Sequence, residues 1–407
     1  MPSNAAFLAA AGLAVAVIGA ECVLRVARFS DPRFHQRDAL LGKALRPGFR
    51  GTQSREGYAR VKINSAGFRD IERPLTKPEG LYRIAVLGDS YVEAMHVPLD
   101  ATFGQRLERM LNSQPPIGGP AAYEVLNFGV SGYGTAQELI LFRIRVAAYK
   151  PDLVILAFYP GNDIVDNHPK LARDPKRPYL VPGAGGLEYL PPAKVKAKAV
   201  SHFLADYFRL AQFRRHAKAV TRKAREIEHV HTLFSATVNG PVPAAAEGVM
   251  ASIGSEAFAY LPEGLPHCSE AWGLTHQILE QLQREVHDAG SGLLVCTLST
   301  PVQVHPSREL RDACAMAMGV DDLFAGERLM EEFCGERAIP HVALGSQFRA
   351  YVDATGQAVH GFDRERVGFG HWNHYGHERA AAALYQYLAQ TIPVTAPPGH
   401  PHTVNQE

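Results

Sequence analysis

The stretch YRIAVLGDS (Tyr82–Ser90) sets the reading of everything around it. A short, fully apolar run, Ile84–Leu87, stops at Gly-Asp-Ser. It is too short for a core helix and has no polar alternation, as expected of a strand buried on both faces. Two further runs of this kind follow, YEVLNFGVSGYG (Tyr123–Gly134) and PDLVILAFYPGND (Pro151–Asp163). Between them lie two helical stretches. ATFGQRLERMLNS (Ala101–Ser113) puts Phe103, Leu107, Met110 and Leu111 on one side, and TAQELILFRIRVAAYK (Thr135–Lys150) ends before Pro151. The order is β-α-β-α-β, which predicts a parallel sheet covered by helices.

The alternation resumes late in the chain. EAWGLTHQILEQLQREVHDAG (Glu270–Gly290) reads as a helix closed by glycine, SGLLVCTLSTP (Ser291–Pro301) as a fourth strand and LFAGERLMEEFCGERAI (Leu323–Ile339) as a helix. PHVALGSQF (Pro340–Phe348) then reads as a fifth strand, and HERAAAALYQYLAQT (His377–Thr391) as the last helix. From Asp166 to about Cys268 the alternation stops. KRPYLVPGAGGLEYLPPAK (Lys176–Lys194) is turn-rich and suggests a hairpin. Lys194–Arg225 then holds ten Lys or Arg against one acid, Asp206, with Phe203, Tyr207 and Leu210 on one helical face. That is the pattern of a solvated capping helix or of a basic helix lying on an anionic membrane.

Composition narrows the class. The 407 residues are 46% hydrophobic and 20% charged, which suits a globular protein, and a net charge of +1 gives no reason to expect a nucleic-acid partner. The five cysteines, Cys22, Cys268, Cys296, Cys314 and Cys334, are odd in number and none are in CxxC spacing, so neither a disulfide framework nor a zinc knuckle is suggested. At the N-terminus, AAFLAAAGLAVAVIGA (residues 5–20) carries no charge. It lacks a basic n-region and a good cleavage site, which favours an uncleaved membrane anchor over a cleaved signal or a buried Ala-rich helix. Arg25, Arg28, Arg33 and Arg37 follow it, but large domains translocate despite such flanks, and an extracytoplasmic domain is the expectation.

In an open parallel sheet, functional residues gather at the carboxyl ends of the strands. The first strand ends at Ser90, in a turn where a hydroxyl and a backbone N–H can be exposed together. The second leads to Gly132, where the backbone can approach a ligand closely. The third leads to Asn162, a side-chain amide donor. Two N–H groups and an amide suit an oxyanion. A serine nucleophile needs a base, and GFGHWNHYGH (Gly368–His377) supplies histidine before the last helix. Singly these signals are weak, and a strand-end serine is usually a helix cap. Their order at successive strand ends is what gives them weight.

These residues resemble the four blocks of the SGNH hydrolases, the GDSL esterase/lipase family: Ser90 in VLGDSYVEA, Gly132 in NFGVSGYG, Asn162 in GND and His371 in HWNHYGH, with Tyr91 where the family name has Leu. INSAGFRD (63–70) is similar to a segment preceding the domain in membrane-anchored bacterial members. The resemblance implies a three-layer α/β/α sandwich with a five-stranded parallel sheet. It also implies a serine esterase in which Ser90 attacks, His371 is the base, and Ser90, Gly132 and Asn162 hold the oxyanion. Small-molecule, polysaccharide or lipid esters are the implied substrates, O-acetyl esters above all, with no cofactor. The alternatives are a non-catalytic carbohydrate- or lipid-binding protein on a degenerate version of the fold, and a cytoplasmic thioesterase. The implied division is an anchor at 1–28, a lead-in at 29–80, the hydrolase domain at 81–165 and 269–392, an insertion at 166–268 and a tail at 393–407.

In that family the acid orienting the histidine stands two or three residues before it, where this chain has Phe369 and Gly368. Asp363 and Glu365 are the nearest acids upstream. Three outcomes are open: one of these folds back, a backbone carbonyl holds the imidazole and leaves a Ser-His dyad, or the site is impaired. A metal is the weaker reading of the three histidines. On a helix, positions six apart are rotated by about 600°, so His371 and His377 would not share a face. No HExxH or paired-cysteine motif accompanies them.

Overall fold

In the computed structural model, residues 4–194, 206–218, 220–221, 254–261, 266–362 and 367–392 are described. The chain opens with α1 (Asn4–Val26), followed by two small antiparallel hairpins: β1 (His35–Asp38) with β2 (Gly42–Leu45), then β3 (Arg50–Gln53) with β4 (Ala59–Lys62). Alternation Ala59 in, Arg60 out, Val61 in, Lys62 out marks β4 as half-buried. These hairpins bury Phe34, Leu45, Val61 and Ile63 in a small core of their own with Met95.

The first three strands of the main sheet are β5 (Leu81–Gly88), β6 (Ala122–Asn127) and β7 (Leu153–Phe158). The hairpin expected in Lys176–Lys194 then forms outside the sheet as β8 (Tyr179–Gly183) with β9 (Gly186–Leu190). The last two strands are β10 (Gly292–Thr297) and β11 (His341–Ala343), and the sheet order is β6-β5-β7-β10-β11. Every neighbouring pair is parallel. The short helix α2 (Ser90–Glu93) leaves the end of β5. Because strand side chains alternate, Ala85 and Leu87 enter the core on one face and Ile84 and Val86 the core on the other. The second face packs under α3 (Phe103–Ser113) and the helix His374–Thr391; the first packs under α4 (Thr135–Leu141) and the helix Pro266–Asp288. The fold is the expected three-layer α/β/α sandwich with a five-stranded parallel sheet.

The fifth strand is shorter than expected. It stops at Ala343, and LGSQF opens the helix Leu344–Thr355, because the buried Glu327 carboxylate accepts the backbone N–H groups of Gly345 (2.8 Å) and Ser346 (3.2 Å). Thr135–Lys150 is regular α-helix only to Leu141, then widens and tightens before ending at Lys150 with φ +51°. The helix Arg308–Met318 is additional to the elements read from the sequence. Of the basic helix, 209–218 is described, with Tyr207 and Phe208 exposed before it; Phe203 and the tail from 393 on fall outside the described residues. Ala6–Val26 is apolar and long enough to cross a membrane and none of it is buried against the protein, which removes the buried-helix reading.

The segment before the last helix is pinned by backbone pairing. Asn373 N–H donates to Val359 O, and Gly361 N–H to His371 O, each at about 3.0 Å. Asn373 caps that helix: its Oδ1 accepts from Tyr375 N (2.9 Å) and Gly376 N (3.3 Å), and its Nδ2 donates to Ala358 O (3.0 Å) and Gly361 O (3.1 Å). Asn373→Ala removes a cap and strands buried carbonyls. A loss of about 3 kcal/mol is expected, measured by denaturant unfolding; a loss below about 1 kcal/mol would show that the cap carries little.

Candidate active site

Ser90 is placed by packing at the end of β5. A side chain on Gly88 would meet Val92 Cγ2 at 2.3 Å, so only glycine lets the chain turn this tightly into α2. Asp89 caps α2, accepting Tyr91 N–H at 2.9 Å. His371 Nε2 lies 2.8 Å from Ser90 Oγ. Its Nδ1 lies 2.7 Å from Glu56 Oε2, and its backbone N–H donates to Glu56 Oε1 at 2.6 Å. A serine, an imidazole and a carboxylate thus form one hydrogen-bonded chain.

Glu56 is the residue that sequence reasoning missed. It sits in the turn between β3 and β4, 315 positions from His371. Asp363 and Glu365 fall outside the described residues, and the Nδ1 position is held without them. The two glycines before His371 stand in tight spaces. A Cβ on Gly370 would lie 2.2 Å from Glu56 Oε1, and one on Gly368 would lie 2.4 Å from the His305 ring. Gly370 thus makes room for the Glu56 carboxylate, and Gly368 for the His305 ring. Gly57, at φ +65°, has no space either: a Cβ there would meet His96 O at 2.3 Å. A Glu-Gly turn between two short amphipathic strands was the signal available in the sequence.

Burial opposes ionisation of Glu56, but the charge and hydrogen bonds of His371, with His96 adding, outweigh it and hold the carboxyl well below its ordinary range. His96 stacks on His371 with ring centroids 3.9 Å apart and its Nε2 3.6 Å from Glu56 Oε2. Burial first, and then the His371 charge, keep His96 neutral far below its ordinary value. Ligand atoms of Glu56, His96 and His371 lie within 4.8 Å of one another, the only such group among the described residues. The histidine–carboxylate hydrogen bond occupies the same atoms a metal would need. His377 is a core residue: buried, stacked on Phe103, accepting the Phe103 N–H at 3.3 Å, and pushed down to about 3 by burial.

The expected oxyanion donors stand at the ends of β5, β6 and β7. Asn162 Nδ2 donates one hydrogen to Asp89 Oδ2 at 3.1 Å, which fixes the amide and leaves its second hydrogen for a ligand. Gly132 is in a left-handed turn at φ +69°. Its neighbour Ser131 donates its N–H to the buried Glu93 carboxylate at 2.8 Å, tying this loop to α2. Beneath lie three buried acids. Asp89 is pushed up to about 6 by burial, while Glu138 and Asp163 are raised far above the carboxylate range, by burial first and then by the charges of neighbouring acids.

No protein-family model matches the chain, and no curated protein matches it. Among solved structures it is similar to the acetyl xylan esterase AlAXEase at 12% identity, over 75% of this chain and 99% of that one, with a TM-score of 0.36. It is also similar to TesA, at 11% over 75% and 98% with a TM-score of 0.37. A third is a G-D-S-L family lipolytic protein from Desulfitobacterium hafniense DCB-2, at 11% over 75% and 98% with a TM-score of 0.35. At this distance the likeness carries no functional argument; the hydrogen-bonded chain from Ser90 through His371 to Glu56 does.

Two outcomes are expected. Glu56→Gln keeps an acceptor for the His371 N–H but turns an amide donor toward Nδ1, so the imidazole presents the wrong tautomer to Ser90. Its kcat on a small acetate ester should fall between roughly a hundredfold and ten-thousandfold with the fold intact; unchanged kcat would remove Glu56 from the site. Glu138→Gln tests the buried acids. A carboxyl whose folded value is raised keeps its proton while the unfolded chain releases one, so wild type loses stability as pH climbs from about 4.5 toward that raised value. The variant has no such loss. Its stability relative to wild type should improve between about pH 4 and pH 7 in chemical denaturation, and a pH-independent difference would mean Glu138 is charged.

Proposed function

We propose that this chain is a serine esterase of the SGNH type. It hydrolyses or transfers an acyl group, in the first instance O-acetyl, carried by a carbohydrate or lipid alcohol. The observation that carries the reading is the unbroken hydrogen-bond chain Ser90 Oγ, His371 Nε2, His371 Nδ1, Glu56 Oε2. Ser90 Oγ attacks the ester carbonyl carbon as His371 Nε2 takes its proton, and the Glu56 carboxylate balances the imidazolium. The carbonyl oxygen, now negative, rests on the N–H groups of Ser90 and Gly132 and the amide of Asn162. His371 returns the proton to the departing alcohol oxygen. Water, or a second alcohol, gives a proton to His371 and attacks the acyl-serine, and Ser90 is released with its proton restored.

A non-catalytic binding role drew its motive from the missing acid. With Glu56 on Nδ1 that motive is gone. The apolar α1 serves in this reading as an uncleaved anchor holding the domain on the extracytoplasmic face. A fluorophosphonate probe should label the wild-type chain at Ser90 and leave Ser90→Ala unlabelled; an ordered wild-type protein that resists the probe would sink the esterase reading. Removing the amide donor in Asn162→Ala should lower kcat by roughly a hundredfold to a thousandfold while probe labelling persists.

A further inference from the structure

A cleft of about 740 Å³ opens beside Gly132. Its walls come from segments outside the sheet: the lead-in from Asp31 to Lys43, the start of the β8–β9 hairpin segment at Asp174–Arg177, and the helical stretch at Arg215–Lys218. Eight Lys or Arg line it against two acids, Asp31 and Asp174, although the whole chain carries a net charge of only +1. Asp31 is already shared by Arg55 (3.5 Å) and Arg215 (3.1 Å), and Arg177 pairs with Asp166 at 2.9 Å. Arg33, Arg37, Lys176 and Lys218 have no carboxylate within ion-pair distance among the described residues. Burial and the neighbouring Arg215, Arg46 and Arg37 charges hold the Arg33 guanidinium below its ordinary value, with Asp206 opposing. Like charges crowd here without enough acids to neutralise them.

The cleft meets the chemistry at one lysine. Lys43 Nζ donates to Ser131 O, and it would stand 3.6 Å from a Cβ on Gly132. The Ser131–Gly132 peptide is the one whose N–H faces the developing oxyanion in the esterase mechanism. An ammonium on its carbonyl polarises that N–H toward a better donor.

We infer, resting on the esterase reading, that the alcohol side of the substrate is an anionic glycan whose carboxylates or phosphates seat along Arg33, Arg37, Lys176 and Lys218 while the acyl ester reaches Ser90. Arginine forks match carboxylate and phosphate oxygens bidentately, and a cleft of one sign concentrates the opposite charge. A fatty chain finds little here. Among the lining side chains only Pro32 and Phe34 are apolar, and Phe34 is buried in the hairpin core.

The test compares kcat/KM of the purified full chain on an acetylated oligogalacturonate, an acetylated phosphomannan fragment and a neutral acetylated xylo-oligosaccharide, with 4-nitrophenyl acetate as a reference ester. At about 10 mM salt, at least one anionic glycan should be preferred over the neutral one by about tenfold, and the preference should shrink at about 0.5 M salt. Which of the two is preferred distinguishes carboxylate from phosphate. Arg37→Gln/Lys176→Gln should cut the anionic-to-neutral ratio about tenfold, whereas Arg308→Gln, an exposed charge that does not line the cleft, should leave that ratio alone. Equal rates on neutral and anionic glycans, with 4-nitrophenyl acetate still cleaved, would overturn this inference and leave the esterase reading standing. Inactivity on every ester would overturn both. Loss of binding to phosphatidylglycerol vesicles in the double variant, with the glycan ratio unmoved, would assign the cleft to a membrane surface and overturn it as well.

Discussion

A single carboxylate holds the two halves of the site together. Glu56 accepts both the backbone N–H and the ring Nδ1–H of His371, at 2.6 and 2.7 Å. Two bonds from one planar group fix the position and the tilt of the imidazole at once, and they dictate its tautomer: Nδ1 carries the hydrogen and Nε2 faces Ser90 with its lone pair. The His96 ring closes the remaining side by stacking on His371. Remove the carboxylate and the imidazole keeps its place in the chain but loses the reason to face the serine in the reactive form.

This constraint makes the lead-in segment part of the site. The hairpin β3–β4 carries Glu56, and Val61 and Ile63 are buried in the core that includes Met95, just after the helix that begins at Ser90. Arg69, also in the lead-in, fastens the same region, its guanidinium donating to the carbonyls of Glu93, Ala94 and Val97. The short turn after Ser90 is thus clamped between the lead-in and the sheet. A domain cut at the start of β5 would retain the five-stranded sheet and lose the acid.

The sheet was legible in the sequence because five short apolar runs alternate with amphipathic stretches, and periodicity survives without knowledge of tertiary contacts. Ser90, Gly132 and Asn162 were legible for the same reason: each follows a strand that the pattern had already located. Glu56 was not, because its one local mark, a Glu-Gly turn between two short strands, does not point to His371. A charged residue in a polar turn reads as solvated surface until the turn is laid against His371. The stop of β11 at Ala343 escaped for a similar reason, since the carboxylate that caps the next helix comes from Glu327 on another helix. What sequence pattern misses here are long-range hydrogen bonds to carboxylates, and both misses are of that kind.

The charge layout around Ser90 follows a consistent logic. An oxyanion forming beside the serine would be penalised by any nearby fixed negative charge, more so in a dry site where little water screens it. Asp89 adjoins the serine and Asn162, yet burial raises it to about 6, and the Glu138 and Asp163 behind it are raised further still. Near neutrality Glu138 and Asp163 hold their protons, while Asp89, raised only to about 6, is largely ionised and is met by the Tyr91 N–H and the Asn162 amide. Two carboxylates in this region are held below their ordinary range: Glu93, by His35 and Lys43 and by the Ser131 hydrogen bond, and Glu56, which lies on the far side of His371 from the serine, where its charge balances an imidazolium. On the open side, Lys43 approaches Gly132 at the edge of the basic cleft. Negative charge is suppressed in the deepest layer, at Glu138 and Asp163, retained on Glu56 where the reaction would need to balance a proton, and met by cations where substrate would enter.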